Sequence, residues 1–323
     1  MRLPRFGDIE DAARQIAGAA VLTPLIRNDA LDAAVGGRVF VKAEVLQRTG
    51  SFKFRGAYNR ISRLNGDERR AGVVAFSSGN HALGVAAAAG LVGAPAVIVM
   101  PSDAPALKID NTRALGAEVV LYDRALESRE AIAGRIQAER GATLVPPFED
   151  PFIIAGQGTA AMEIAAQLKA VGAMADVLLC PASGGGLMAG TTLVMGALSP
   201  TTALYAVEPQ GFDDYGRSLA AGQRVKNPTA SGSLCDALMS PEPGEMTFAI
   251  NQPRLTGALA VSDEEVLAAV AFAFRHLKLV VEPGGAVGLA ALLSGRLKLD
   301  GRTAVVIASG GNIDPVVFIR GIG

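Results

Sequence analysis

Val177-Leu178-Leu179-Cys180-Pro181-Ala182-Ser183-Gly184-Gly185-Gly186-Leu187 passes from an apolar run, through a serine and three glycines, into an apolar helical segment. An apolar run with no polar alternation is the pattern of a strand buried on both faces, as in a parallel sheet. Glycines between strand and helix let backbone amides approach a phosphate closely, and the helix N-terminus adds favourable charge. A merely flexible loop there costs entropy with no ligand to offset it. The same residues have a rival reading. Gly184, Gly186 and Ala189 fit the dinucleotide fingerprint G-x-G-x-x-A, and Glu208 follows the next strand at about the spacing of a ribose-binding acid. That alternative, an NAD-dependent oxidoreductase, gives Lys53 and the Ser77–His81 turn nothing to do.

Outward from this stretch the same grammar repeats. Candidate strands fall at 38–42, 73–76, 96–100, 118–122, 203–207 and 304–308, and Ala-rich helices at 81–91, 127–140, 158–171 and 263–276. Alternating strands and helices predict an α/β fold with mainly parallel sheets. The stretch 72–148 is a compact set ended by Pro146-Pro147, and a second, larger set starts near 151. The Pro/Gly-rich stretch 226–257 reads as a long loop that covers something.

Composition narrows the function classes. The 323 residues are 50% hydrophobic and only 19% charged, which fits a large core and some surface hidden in an oligomer. A net charge of −1 without a basic patch excludes nucleic acid as an expected partner. No apolar run is long enough to span a membrane without Gly or Pro, and Met1–Arg5 lacks the apolar core of a signal peptide, so the expectation is a cytoplasmic protein with no membrane partner. Two cysteines do not make a disulfide framework, and two histidines, His81 and His276, exclude a His-rich metal site.

Four further strings carry possible chemistry. Thr49-Gly50-Ser51-Phe52-Lys53-Phe54-Arg55-Gly56-Ala57 sets a lysine between phenylalanines. Desolvation would lower its pKa and free an amine that captures carbonyls, the aldehyde of pyridoxal phosphate among them. The alternative is a lysine snorkelling from a helix start. Ser77-Ser78-Gly79-Asn80-His81 lies at a strand-to-helix turn, where free amides suit a substrate carboxylate, although plain N-capping uses the same residues. Ser309-Gly310-Gly311-Asn312 follows the strand 304–308, and a serine there can point into a site at the mouth of a parallel sheet or mark an ordinary turn. Glu208-Pro209-Gln210-Gly211-Phe212-Asp213-Asp214 is oxygen-rich and reads either as a Mg²⁺ or Ca²⁺ loop or as a solvated acidic turn.

In this order, together with Thr23-Pro24-Leu25, Lys42–Gln47, Ile154–Thr159 and Glu282–Ala286, these strings resemble the serine/threonine dehydratase and serine racemase family, fold type II pyridoxal-phosphate enzymes. The resemblance covers nearly the whole chain. It implies two domains, a large one of 1–70 with 151–323 and a small one of 71–150. It makes Lys53 the Schiff-base lysine that also moves the α-proton, and Phe52 the residue packed beside the pyridine ring. Asn80 becomes the partner of the ring hydroxyl oxygen, and Ser183 to Leu187, with Gly184, Gly185 and Gly186, the phosphate loop. The family usually has four glycines there; Ser183 replaces the first. Ser309 becomes the partner of the ring nitrogen. A neutral serine leaves that nitrogen largely unprotonated and favours prompt loss of a β-leaving group.

The resemblance also implies that Ser77 to His81 hold the substrate carboxylate, with Gly79 among them. Glu208, Asp214 and the backbone of Phe212 match a divalent-cation site, and the expected assembly is a homodimer. Ser78 matches a serine opposite the lysine across the cofactor, where racemases and hydroxyaspartate dehydratases carry one. Arg135 falls where the racemase-like branch has an arginine for a dicarboxylate. The implied reaction is dehydration and deamination of serine, threonine or 3-hydroxyaspartate to a 2-oxo acid and ammonia. The alternatives are a racemase with side dehydratase activity, the NAD-dependent oxidoreductase, and a non-catalytic ligand-binding protein, against which the intact Lys53 argues.

Overall fold

The computed structural model describes residues 2–323 apart from Ser78, Pro105, Arg124, Ala125 and Ala230. Ten strands among the described residues form two sheets. They are β1 (Leu25–Arg27), β2 (Arg38–Ala43), β3 (Val73–Phe76), β4 (Ala96–Pro101), β5 (Glu118–Tyr122), β6 (Thr143–Leu144), β7 (Val177–Pro181), β8 (Ala203–Pro209), β9 (Gly257–Val261) and β10 (Thr303–Ala308). The larger sheet has the order β1-β2-β10-β7-β8-β9, parallel except where β1 runs against β2. The smaller sheet, β5-β4-β3-β6, is parallel throughout. Every residue of β7 and β10 is buried, as their unbroken apolar runs predict. β5, at a sheet edge, leaves two of its residues exposed.

Strand order fixes where a ligand can sit. In the larger sheet the chain moves from β7 out through β8 and β9, then returns to β10 on the other side of β7. In the smaller sheet it moves from β3 out through β4 and β5 and returns to β6 on the other side of β3. Each reversal splays the loops beyond the carboxyl ends of adjacent strands and opens a crevice. The loops at these reversals follow β7 (182–185) and β10 (309–314) in one sheet, and β3 and β6 (145–150) in the other.

Three details differ from expectation. β1, β6 and β9 lie outside the expected strands, and β1 and β6, with three and two residues, are too brief to give a period. The helix expected from 158 is Pro151–Ala170, because the Asp150 side chain caps its first amides and Pro151 suits the first turn. The stretch 226–257 is more than a loop: it contains a 3₁₀ turn at Asp236–Leu238 and the helix Glu245–Asn251, and its last residue begins β9. No helix among the described residues is long and apolar enough to cross a membrane.

A buried ionic cluster pins the helix Lys53–Ile61. Arg55, fully buried, donates to both oxygens of Glu44 at 2.8 and 2.9 Å and to both oxygens of Glu163 at 2.6 and 2.8 Å. Lys42, also fully buried, donates to Glu163 at 2.6 Å and to the Thr23 carbonyl at 2.7 Å. Burial pushes the Glu44 carboxyl up, but the Arg55 guanidinium, with the Thr23 hydroxyl and the Lys42 charge, more than offsets this and holds it below its ordinary value. The cluster ties β2 and the helix Pro151–Ala170 to the helix that begins at Lys53. Arg55→Met should strand the Glu44 carboxylate in the core, while Glu163 keeps Lys42, and cost about 3–5 kcal/mol. Denaturant titration checks it, and an unchanged midpoint would show the cluster to be dispensable.

Candidate active site

The four loops at the two reversals border a cavity of about 210 Å³. Phe52, Lys53, Ser77, Gly79, Asn80 and His81 line it, as do Ser183 to Leu187 and Ser309. Ser78 lies outside the described residues. The expected site residues from four separate loops therefore share one space, with Arg135 and the Glu208–Asp214 segment elsewhere.

Lys53 opens its helix immediately after Phe52, whose amide donates to the Ser309 carbonyl at 3.1 Å. This bond and an isolated bridge between Ser51 and Gly310 hold the lysine loop against the end of β10. The Lys53 Nζ donates to the Pro147 carbonyl at 2.9 Å and lies 5.3 Å from the centre of the Phe52 ring. Desolvation lowers its pKa to about 8, with the Glu282 charge pulling the other way. Only one of the two flanking phenylalanines contributes. Phe54 turns into the core beside the smaller sheet and stacks on Tyr58.

At the turn after β3 the helix Asn80–Val92 begins, and its first amides have no partner within the helix. His81 donates from Nε2 to the Val145 carbonyl at 2.8 Å. Burial, with the nearby Lys53 charge, pushes its pKa down to about 3. It is a neutral imidazole whose Nδ1 has no hydrogen-bond partner. Asn80 donates from Nδ2 to Glu282 Oε1 at 2.5 Å and accepts at Oδ1 from Asn312 Nδ2 at 2.7 Å.

Beyond β7, the helix Gly186–Leu198 aims its N-terminus at the cavity. The glycines here answer to sterics. A side chain at Gly184 would enter the Phe148 ring, and one at Gly185, where φ is 92°, would enter the Tyr215 hydroxyl. What remains is a cradle of bare backbone at a helix N-terminus, the arrangement that binds phosphate. Ser183 accepts at Oγ from the Ser240 amide at 3.0 Å, tying the cradle to the covering segment.

Arg135 is not at the site. Its side chain is 67% exposed and faces Glu139 on the surface. Arg129 lines the cavity instead, its guanidinium 5.2 Å from the centre of the Phe76 ring and 2.8 Å from Glu130 Oε1. Six residues along a helix amount to about 240° of rotation, so the two arginines point apart. The sequence held a usable signal: helices following parallel strands start near the crevice, so a first-turn residue such as Arg129 is better placed than one a turn and a half on. Glu282 was also missed. It lines the cavity, is 4% exposed, and is pushed to about 7 by burial and then by Asp236. At the mouth, Lys108 and Asp236 pair at 2.6 Å.

Glu208 sits inside β8 rather than on an open loop, and is fully buried. Its carboxylate accepts from the amides of Tyr215 and Gly216 at 2.8 and 3.0 Å, so it is not available to a ribose, and the dinucleotide reading loses its acid. Asp214 accepts from Asn227 at 2.7 Å on one oxygen, while the other is buried without a partner. Burial and the neighbouring Asp214 raise Glu208 well above the carboxylate range, and burial raises Asp214 to about 6. Among the described residues, no group of three or more His, Cys, Asp or Glu side chains is placed to hold a metal ion.

Residues 16–310 match the family described as pyridoxal-phosphate dependent enzyme. The chain is 45% identical over 314 residues to an L-threo-3-hydroxyaspartate ammonia-lyase of a Pseudomonas species, covering 97% of each. A solved structure of threonine deaminase from T.th. superposes with a TM-score of 0.90 at 43% identity, covering 96% of this chain and 99% of that one. Maize serine racemase gives 0.93 at 36% identity, covering 99% and 97%. An aldehyde probe should label Lys53 at a rate that rises with pH and levels off above about 8, where the amine is neutral. Peptide mapping across a pH series checks this. A rate still climbing toward an ordinary lysine's value would contradict the desolvated amine.

Proposed function

The chain belongs to the pyridoxal-phosphate dependent enzyme family, and from that premise we propose that it is an ammonia-lyase of β-hydroxy amino acids, with 3-hydroxyaspartate the favoured substrate. The observation that carries the reading is the meeting of a desolvated lysine amine and a glycine cradle in one cavity. The residues fit the cofactor: an amine suits its aldehyde, and the cradle at a helix N-terminus suits its phosphate. Bound there, pyridoxal phosphate supplies an aldehyde for amine capture and a conjugated ring that withdraws electrons from the substrate's α-carbon.

The chain's own residues do the rest. Lys53 Nζ takes the proton from the α-carbon, working as a base whose pKa lies close to neutrality. Phe52 would pack beside the ring. The amides of Gly184 to Leu187 would hold the phosphate, with the Ser183 hydroxyl at their edge. Ser309 would serve the ring nitrogen and Asn80 the ring oxygen. The amides of the turn from Ser77 to His81 hold the α-carboxylate. His81, neutral, spares that carboxylate no charge of its own, and Arg129 supplies the guanidinium for a second carboxylate. Arg129 is the feature that favours a dicarboxylate over threonine or serine. The resemblance to maize serine racemase supports a second reading, racemisation with Ser78 as the second acid/base.

The two domains of this reading are 1–70 with 151–323, and 71–150, each around one sheet. The low charged fraction supports a homodimer, and a cytoplasmic location accords with the composition. Glu208, Asp214 and the Phe212 carbonyl are the proposed ligands of Mg²⁺ or Ca²⁺. The unpartnered oxygen of Asp214 beside buried Glu208 suits a hard cation.

Ammonia release from both stereoisomers of serine, threonine and 3-hydroxyaspartate, with chiral analysis of unreacted substrate, tests the reading. Threo-3-hydroxyaspartate should be fastest, and Arg129→Ala should lower its kcat/KM about ten- to a hundredfold while changing threonine little. No release from any of them would refute the lyase, and interconversion without release would establish the racemase. The cation site gives a separate outcome. Raised carboxyl pKa values mean that protons occupy the site in acid and bare charges repel there in base, destabilising the fold as pH rises. Added Mg²⁺ or Ca²⁺ should therefore raise Tm at about pH 8 and little at about pH 5.5. Asp214→Asn should abolish the rise; a rise that survives it would place the ion elsewhere.

A further inference from the structure

The mechanism above leaves Glu282 without a task, although it is a nearly fully buried carboxyl in the wall of the cavity. It stands at the start of the helix Pro283–Leu293, and its partner Asn80 starts the helix Asn80–Val92 on the other sheet. Glu282 accepts from Asn80 Nδ2 at 2.5 Å. Asn312 Nδ2 donates to Asn80 Oδ1 at 2.7 Å and to the Thr49 carbonyl at 2.9 Å. The whole row therefore runs Thr49 carbonyl, Asn312, Asn80, Glu282.

The polarity of that row is fixed from one end. A backbone carbonyl only accepts, so Thr49 sets which end of the Asn312 amide faces inward. Both protons of Asn312 Nδ2 are then spent, one on Thr49 and one on Asn80 Oδ1. Asn80 must present Nδ2 on its far side, where Glu282 accepts. A flipped Asn80 amide would set N–H against N–H at Asn312 whatever the charge of Glu282, and lone pair against lone pair at an ionised Glu282. Asn80 Nδ2 keeps one proton beyond the bond to Glu282, and Asn80 itself lines the cavity.

Two features show that the row is built rather than incidental. A side chain at Gly310 would drive into Glu282 Oε1 and approach Asn80 Nδ2, so glycine there leaves the bond its space. Thr49 holds φ at 64°, an unusual conformation for a β-branched residue, and its carbonyl is the fixed end of the row.

We propose that Glu282 is a positioning residue: with Asn312 it locks the Asn80 amide so that one N–H always faces the cavity, as a donor for an anionic ring oxygen of the bound cofactor. Burial raises its pKa to about 7, yet either protonation form keeps an oxygen that accepts from Asn80. The role needs the acceptor and not the charge. The inference rests on pyridoxal phosphate occupying this cavity.

The test uses purified full-length protein loaded with pyridoxal phosphate, reading the visible absorption band and the dissociation constant for the cofactor. Asn80→Ala should shift the band and weaken binding about tenfold, the loss of one good hydrogen bond. Glu282→Leu should give the same shift, and the double variant no more than either single one. Glu282→Gln keeps an accepting oxygen and should keep the wild-type band and affinity. If Glu282→Leu does not fold, Asn312→Ala removes the other half of the lock and must reproduce the shift. A wild-type band in Glu282→Leu, additive effects with Asn80→Ala, or a Gln variant as impaired as Leu would each overturn the proposal. Wild-type protein that takes up no pyridoxal phosphate would instead refute the cofactor reading beneath it.

Discussion

A lysine amine must be kept out of water here without a carboxylate to neutralise it, and much of the architecture follows from that constraint. A close acid would raise the pKa and keep the amine protonated. The fold gives Lys53 a backbone carbonyl, Pro147, and an aromatic face, Phe52, which partner the amine without fixing its charge. The one acid that acts on it, Glu282, is itself raised to about 7 and occupied by Asn80. Burying an amine this way costs stability, and the Arg55 cluster holds its helix in place.

Two sheets supply the walls because each reverses strand order once. The larger contributes the phosphate cradle and Ser309, the smaller the Ser77–His81 turn and the Pro147 carbonyl. Lys53 belongs to neither sheet; it sits on a helix packed between them and is stitched to β10 through the Phe52 amide. Contacts at the cavity wall, Asn80 with Glu282 and Lys108 with Asp236, join segments from the two sheets.

The sequence made legible whatever depends on local pattern. Strands buried on both faces, glycines between strand and helix, and short polar turns after strands all leave composition signals that survive folding. What depends on direction was not legible. Arg129 and Arg135 share a helix and a residue type, and only the helix phase separates them. Phe52 and Phe54 flank the same lysine, yet one faces the site and the other the core. Glu282 lay within a string that matched the family, but its task depends on Thr49, Asn80 and Asn312, distant in sequence and joined only by the fold. The short strands β1 and β6 escaped notice because two or three residues cannot show a period.

The central claim is that Lys53, and no other lysine, is the amine this cavity reserves for pyridoxal phosphate. Borohydride reduction of the cofactor-loaded protein, followed by peptide mass mapping, tests it most directly. The account predicts a phosphopyridoxyl group on Lys53 at close to one per chain, and none in Lys53→Ala. Stoichiometric modification of a different lysine, or none at all, would contradict it.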